Sequence, residues 1–382
     1  MKFIFLTNIP TPYRTSFYNE LCKYDFDFEV YYMRNTEADR NWKINLQDFK
    51  HDYIIDKGFY KTIGRFHIHF NPKLIWNIIK KKKTEIIIGG AWNDLNVLSI
   101  VILKKIGFLK SELHFWSEAN YMTIGASHDN FIKKWIRKFV YHSTNGVQLS
   151  SGKMTEITLD KWGIRTNSFV SLPNTIEEDK FLISDIEIEL RMNNPTPIFL
   201  LPVRLLERDK GILNFFKTIG IDNVRRAKFL IAGEGPDKEL ILSYVNINNL
   251  GNHISLLGHC DTPKMISLYK KCNLFLLPSF SDPSPLSLIE ALSMKMPVLI
   301  SERCGNHFEA VINSVNGYIF DPFDSISLIN AFNLILERSA NWQSMGKKSG
   351  EIYTEKFNKS MVISRFVKQL TNYTLNITKK VE

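Results

Sequence analysis

The sequence predicts an α/β protein of two parallel-sheet domains, and three observations carry that expectation. At 382 residues the chain exceeds what one ordinary core organises, so two units of about 170 to 200 residues are the default. Short apolar runs alternate with longer stretches of helical periodicity in both halves, the pattern of strands joined by crossover helices. A hydrophobic fraction of 44% with 23% charged residues is that of an ordinary globular chain.

In the first half, 2–6, 28–32, 85–88, 113–116, 146–149 and 168–171 read as strands, because each is a short run rich in Ile, Val, Phe, Tyr or Leu. Helical patterns lie between them, for example over 15–23 and 72–82. In the second half, 198–202, 228–232, 254–257, 274–277, 297–300 and 317–320 repeat the alternation. The polar, acidic stretch 173–195, ending in Asn193-Asn194-Pro195, reads as a linker between domains 1–172 and 196–355. Apolar residues at helical spacing over 360–375 predict a terminal helix within 356–382.

Composition removes several function classes. The four cysteines, Cys22, Cys260, Cys272 and Cys304, lack CxxC spacing, which argues against a zinc site or a disulfide framework and for a reducing cytoplasm. The opening run is basic then apolar, but Thr7-Asn8 ends it, so no secretory leader is expected. The longest apolar stretch, 97–103, contains Ser99 and is followed by Lys104-Lys105, far short of a membrane span.

The net charge of +10 is uneven: residues 1–180 hold 26 Lys/Arg against 19 Asp/Glu, or +7, which leaves 23 against 20, or +3. Lysines cluster at 80–83, at 104, 105 and 110, and at Lys133, Lys134 and Lys138 beside Arg137. The last group is interleaved with Phe131, Ile132, Trp135, Ile136 and Phe139. Two readings stay open: a face that rests on anionic lipid headgroups, or the solvated rim of core-packed helices. No nucleic-acid motif accompanies the charge, so nucleic acid is not expected as a partner.

Residues 274–300 are the most informative stretch. They read as strand, polar loop, helix and strand, with Asp282 in the loop and Glu290 inside the helix. Such a loop ends at a helix N-terminus, where unpaired N–H groups and the helix dipole attract a phosphate. A carboxylate farther along the same helix can accept hydrogen bonds from sugar hydroxyls. Upstream, the strand 198–202 leads into Arg204-Leu205 and Lys210-Gly211, which places two cations where open α/β sheets bind ligands. Ala232-Gly233-Glu234-Gly235-Pro236 supplies another strand-to-helix turn, and Gly258-His259 follows the next strand.

With Pro173, Asn174, Ile176 and Phe181 at its entry and Asn316-Gly317-Tyr318-Ile319-Phe320-Asp321-Pro322 at its close, this series resembles the family 4 retaining glycosyltransferases, whose two Rossmann-like domains face each other across a cleft in the GT-B fold. The resemblance implies that Arg204 and Lys210 bind the diphosphate of a UDP- or GDP-sugar donor. It further implies that Glu290 takes the ribose hydroxyls, that Ser284, Pro285, Leu286 and Ser287 cradle a phosphate, and that Gly258 and His259 touch the base. Asp282 would face the donor sugar, although the family usually has Glu there; a plain loop or N-cap aspartate is the other reading. No cofactor or metal is expected, so fixed cations must stabilise the charge that grows on the departing diphosphate. A terminal helix that crosses back to the first domain completes the expected architecture.

In the first half the family's Gly-rich loop is replaced by Asn8-Ile9-Pro10-Thr11-Pro12-Tyr13-Arg14, stiffened by prolines. Tyr13 and Arg14 are the acceptor-side candidates; Arg14 either binds an anionic acceptor group or pairs with a helix carboxylate. Where many members carry a histidine, the strand ends Phe115-Trp116-Ser117-Glu118, which makes Glu118 the candidate to assist acceptor deprotonation. His114 is expected in or beside the core. The function implied is retaining transfer of a sugar to a glycan or lipid-linked glycan acceptor in bacterial polysaccharide or lipopolysaccharide assembly. The protein is expected to be cytoplasmic, with peripheral contact to an anionic membrane open. An epimerase of the same fold and a non-catalytic basic module are the alternatives.

Overall fold

The computed structural model describes residues 2–37, 45–63, 66–81, 84–123, 130–166 and 168–381. The first half contains strands β1 (Lys2–Thr7), β2 (Phe28–Tyr32), β3 (Tyr53–Ile55), β4 (Phe59–Ile63), β5 (Phe66–Phe70), β6 (Thr84–Ile88), β7 (Leu113–Ser117), β8 (Gln148–Ser150) and β9 (Phe169–Ser171). Seven of them form a parallel sheet in the order β3-β2-β1-β6-β7-β8-β9, while β4 and β5 make a separate antiparallel hairpin. The second half contains β10 (Ile198–Pro202), β11 (Lys228–Ala232), β12 (Ile254–Gly258), β13 (Leu274–Leu277), β14 (Val298–Ser301) and β15 (Gly317–Phe320). They form a parallel sheet in the order β12-β11-β10-β13-β14-β15.

Both sheets are therefore parallel, as the alternation of runs predicts, and doubly wound, as the resemblance implies. Each reverses its strand order once, between β1 and β6 and between β10 and β13. Crevices for ligands open at the C-terminal ends of strands flanking such reversals.

The inner strands are apolar along their whole length because helices cover both faces. In the second sheet, Phe199 and Phe229 stack with ring centroids 5.1 Å apart, and Phe332 from the Ser325–Glu337 helix packs on both. The helix Asp185–Met192 opens with a Ser184/Glu187 capping box. Its buried Arg191 donates to the carbonyls of Tyr269, Met294 and Lys295, fastening this segment to the second half.

The final helix, Lys359–Val381, returns to the first half. Val362, Ile363, Phe366 and Leu370 recur on one helical face and join the core around Phe5, Phe17 and Trp116. The chain passes there at a clamp on Glu178, whose Oε2 accepts from Tyr353 Oη at 2.8 Å, Asn358 Nδ2 at 3.0 Å and the Lys359 N–H at 3.2 Å.

Several boundaries differ from the sequence reading. The first helix spans Pro12–Leu21 rather than 15–23, because the Thr11 side chain caps it and Pro12 is already suited to the first turn. The second spans Pro72–Lys80, after which Lys81 turns to pair with Glu29 at 3.1 Å; Lys82 and Lys83 of the basic cluster lie outside the described residues. Strands β3, β4 and β5 are additions. A three-residue edge strand is too short to show periodicity, and the hairpin leaves Phe59 and Ile63 exposed instead of burying a continuous run.

Candidate active site

The order reversal of the second sheet gathers the central constellation. Strand β10 delivers Val203 to Leu206 and then the short helix Glu207–Lys210, which ends on Gly211 in the left-handed conformation, φ 59°. Only glycine fits there easily: besides that φ, a Cβ would press on the carbonyl of Pro278 in the neighbouring loop. That loop leaves β13 and is held down by the Phe280 and Ser281 N–H groups, which donate to Asp209 O at 2.9 and 3.0 Å.

Across this junction Lys210 Nζ meets Asp282 Oδ2 at 2.5 Å, with both side chains mostly enclosed. Burial alone would lower the Lys210 ammonium; the Asp282 carboxylate more than offsets it, and the net direction is upward. The cation is thus kept charged. Arg204 lies exposed on the same loop, at the C-terminal end of β10.

The loop then enters the Leu286–Ser293 helix with Pro285 as N-cap and no side chain capping its N–H groups. A helix start of this kind is open to an anion. Ser284 Oγ accepts from Asn174 Nδ2 at 3.2 Å, and Pro285 O accepts from Asn306 Nδ2 at 3.1 Å, so the approach to the helix is fixed.

One turn in, Glu290 accepts from the buried Tyr269 hydroxyl at 2.8 Å. Burial pushes its carboxyl up to about 7, against the lowering effect of the Tyr269 bond. Glu290 is therefore poised to change charge near neutrality.

Gly258, with φ 70°, ends β12 and accepts from the Gly233 N–H at 2.8 Å. His259 is exposed and lines a recess of about 700 Å³ between the halves, bounded by the Pro12–Leu21 helix and residues 177 to 180. The Gly233-x-Gly235 turn is structural: a Cβ at either position would overlap the carbonyl oxygen of Val203 or Leu205. Those glycines let the turn lie against the loop that carries Arg204.

The reversal of the first sheet faces this site with a cavity of about 850 Å³ lined by Asn8, Tyr13, Arg14, Trp92, Glu118 and, from the second half, Pro283. The Arg14 guanidinium lies 3.4 Å over the Trp116 ring and donates from Nη2 to Glu118 Oε1 at 2.8 Å. Its Nη1 is buried with no hydrogen-bond partner among the described residues. Arg14 therefore pairs with a carboxylate, but one at a strand end rather than on a helix. Arg14 is 11% exposed and Glu118 32%, so Glu118 is the group presented to the cavity.

Contacts between the halves come from residues that the motifs alone did not single out. Asn120 Nδ2 donates to Arg303 O at 3.1 Å and Asp282 O at 3.4 Å, and the Lys153 N–H donates to Glu309 Oε1 at 2.6 Å. Asn120 lies two residues beyond Glu118, so one loop joins the two sites. Tyr269, the partner of Glu290, lies at the end of a helix 21 residues upstream, where no local pattern marks it.

Metal-ligating side chains meet elsewhere. Glu85, Glu112 and His114 bring ligand atoms within 4.8 Å of one another at the opposite, N-terminal end of the first sheet. His114 is fully buried; its Nδ1 accepts the Val147 N–H at 3.0 Å, which places the ring proton on Nε2, where it meets Glu85 Oε2 at 2.7 Å. A protonated Nε2 cannot ligate a metal, so the group reads as a buried hydrogen-bonded pair.

Comparisons with known proteins agree with this geometry. Residues 186–351 match the family described as glycosyl transferases group 1. The chain is 26% identical over 166 residues to glycogen synthase of Mycobacterium tuberculosis, covering 42% of this chain and 39% of that protein. It is 26% identical over 211 residues to an Escherichia coli UDP-Gal:alpha-D-GlcNAc-diphosphoundecaprenol alpha-1,3-galactosyltransferase, covering 52% and 53%. These matches span about half or less of the relatives' own lengths. Over the whole fold, HepE of Anabaena in complex with UDP superposes with a TM-score of 0.74 at 14% identity, covering 97% of this chain and 100% of that one. The fold is that of the GT-B glycosyltransferases.

Proposed function

We propose that this chain, matched over residues 186–351 to the group 1 glycosyl transferases, is a retaining, metal-independent glycosyltransferase. It moves a sugar from a UDP- or GDP-linked donor to a hydroxyl of a glycan or lipid-linked acceptor, in bacterial surface polysaccharide or lipopolysaccharide assembly on the cytoplasmic side of a membrane. The observation that carries this reading is one juxtaposition. The Lys210–Asp282 pair and an uncapped helix start occupy the reversal point of one sheet, opposite the Arg14–Glu118 cavity of the other.

In this reading Arg204 and Lys210 neutralise the diphosphate as the bond to the sugar breaks, and the backbone of 284–287 cradles a phosphate. Two fixed cations take the place of a metal here: Lys210 is mostly enclosed, which strengthens its contact, and Arg204 adds a second charge from the exposed loop. Glu290 accepts from the ribose hydroxyls, and Gly258 with His259 borders the base. Asp282 holds Lys210 in place and faces the donor sugar.

On the acceptor side, Tyr13 and Glu118 receive the incoming sugar. Arg14, sandwiched against Trp116, keeps Glu118 aimed to accept the hydroxyl proton. The Asn120 contacts register the two sites and help exclude water from the closed cleft.

Support for the donor class comes from the UDP-bound neighbour, and support for a lipid-linked acceptor from the diphosphoundecaprenol relative. A thermal-shift panel of nucleotide sugars, followed by proton NMR of the product's anomeric centre, tests the reading. Selective stabilisation by one donor and retained configuration are expected. Isomerised donor without transfer would show an epimerase instead, and no stabilisation by any nucleotide would refute the reading.

A further inference from the structure

The wall of the 850 Å³ cavity is itself two-sided. In the Phe131–Ser143 helix, Lys133, Ile136 and Arg137 face the cavity, whereas Phe131, Lys134, Trp135 and Lys138 line a second hollow of about 550 Å³ on the outer surface. The spacing of each set, i to i+3 and i+4, makes these opposite faces of one helix. Arg137 and Trp162 border both spaces, with the guanidinium 3.7 Å over the indole.

The outer face is unusual for a soluble helix. Phe131 is 82% exposed, Ile132 65% and Trp135 61%, and Trp135 stacks on Phe139 with centroids 5.8 Å apart. Apolar positions 131, 135 and 139 form one stripe, and Lys134 and Lys138 form the stripe beside it, with Lys161 over the Tyr121 ring completing the rim. Aromatic rings beside lysines fit the boundary between lipid headgroups and acyl chains, and the charge is complementary to an anionic surface.

We propose that the outer hollow is a lipid subsite. It takes the apolar chain and anionic headgroup of a membrane-embedded acceptor, whose terminal sugar reaches over the wall that Trp162 and the buried Arg137 form, to the cavity beside Glu118. This inference rests on the glycosyltransferase reading for the sugar end only. The lipid end stands on the exposed stripe and the shared wall, and it selects a lipid-linked acceptor over a soluble glycan.

The test compares the whole protein with Phe131→Ala/Trp135→Ala in sedimentation with vesicles of phosphatidylcholine, with and without 30% phosphatidylglycerol. A benzophenone-bearing isoprenyl diphosphate then labels the protein for peptide mapping. Affinity for UDP and GDP, measured alongside, checks that the variant is folded and reports separately on the donor reading. Expected are binding that needs phosphatidylglycerol, at least tenfold weaker binding by the variant with nucleotide affinity unchanged, and label within the Phe131–Ser143 helix. Wild-type binding no stronger with phosphatidylglycerol than without, equal binding by the variant, or label elsewhere would overturn the proposal. Failure of both nucleotides to bind the wild type would strike the donor reading instead.

Discussion

The Glu290 carboxyl offers the sharpest prediction. Its value of about 7 in the free protein arises from burial, and the ionised form accepts from ribose hydroxyls more strongly than the neutral acid, whose protonated oxygen becomes a donor. About 9% of molecules are then ionised at pH 6 and about 91% at pH 8, so affinity for the donor should rise about tenfold across that window and level off above it. Binding should also release protons below pH 7. The titrant must be a nucleotide sugar, whose capped diphosphate keeps its charge, because a terminal phosphate has its own ionisation near 6. Isothermal titration at pH 6, 7 and 8 provides the measurement. Glu290→Gln should flatten the profile, and Tyr269→Phe, which removes the bond that lowers the carboxyl, should move it to higher pH. A wild-type profile that is flat between pH 6 and 8, or one that Glu290→Gln reproduces, would refute the ribose assignment.

Other consequences can be checked more simply. Because the folded-state value of Glu290 is raised, its ionisation costs nothing below about 4.5 and about 3 kcal/mol above 7, so stability in urea should fall as pH rises through that range, and less so in Glu290→Gln. Glu118→Gln should slow sugar transfer about 100-fold or more while leaving nucleotide affinity intact; equal loss of both would deny it the acceptor role. Gly233→Ala, which sets a Cβ against the Val203 carbonyl, should cost about 1–3 kcal/mol and weaken nucleotide binding through the Arg204 loop, as read by thermal shift. Phe366→Ala should cost about 3–5 kcal/mol by loosening the returning helix from the first half, visible as earlier proteolysis of that helix.

Most strands were legible in the sequence because parallel strands buried on both faces are continuous apolar runs: 198–202, 228–232, 274–277 and 317–320 coincide with the observed bounds. The hairpin and β3 were not, since neither buries such a run. In the site, Lys210, Asp282 and Glu290 could be singled out because each sits at a fixed offset from a strand end or helix start. Their partners could not. Tyr269 and Asn120 reach the site through tertiary packing, and the pairing of Arg14 with Glu118 spans 104 residues with no local signal. The Lys210–Asp282 contact gives Asp282 a physical role, because its carboxylate lies within hydrogen-bond reach of the lysine.

The central claim is a nucleotide-diphosphate grip built on Lys210 at the reversal point of the second sheet. Calorimetric titration of the wild type and Lys210→Ala with UDP and GDP tests it most directly, since loss of one such cation is worth about 3–4 kcal/mol in the transition state and a detectable part of that in the bound nucleotide. The account predicts saturable binding of one of the two nucleotides and at least tenfold weaker binding by a folded Lys210→Ala. No binding of either nucleotide, or equal affinity in the variant, would contradict it.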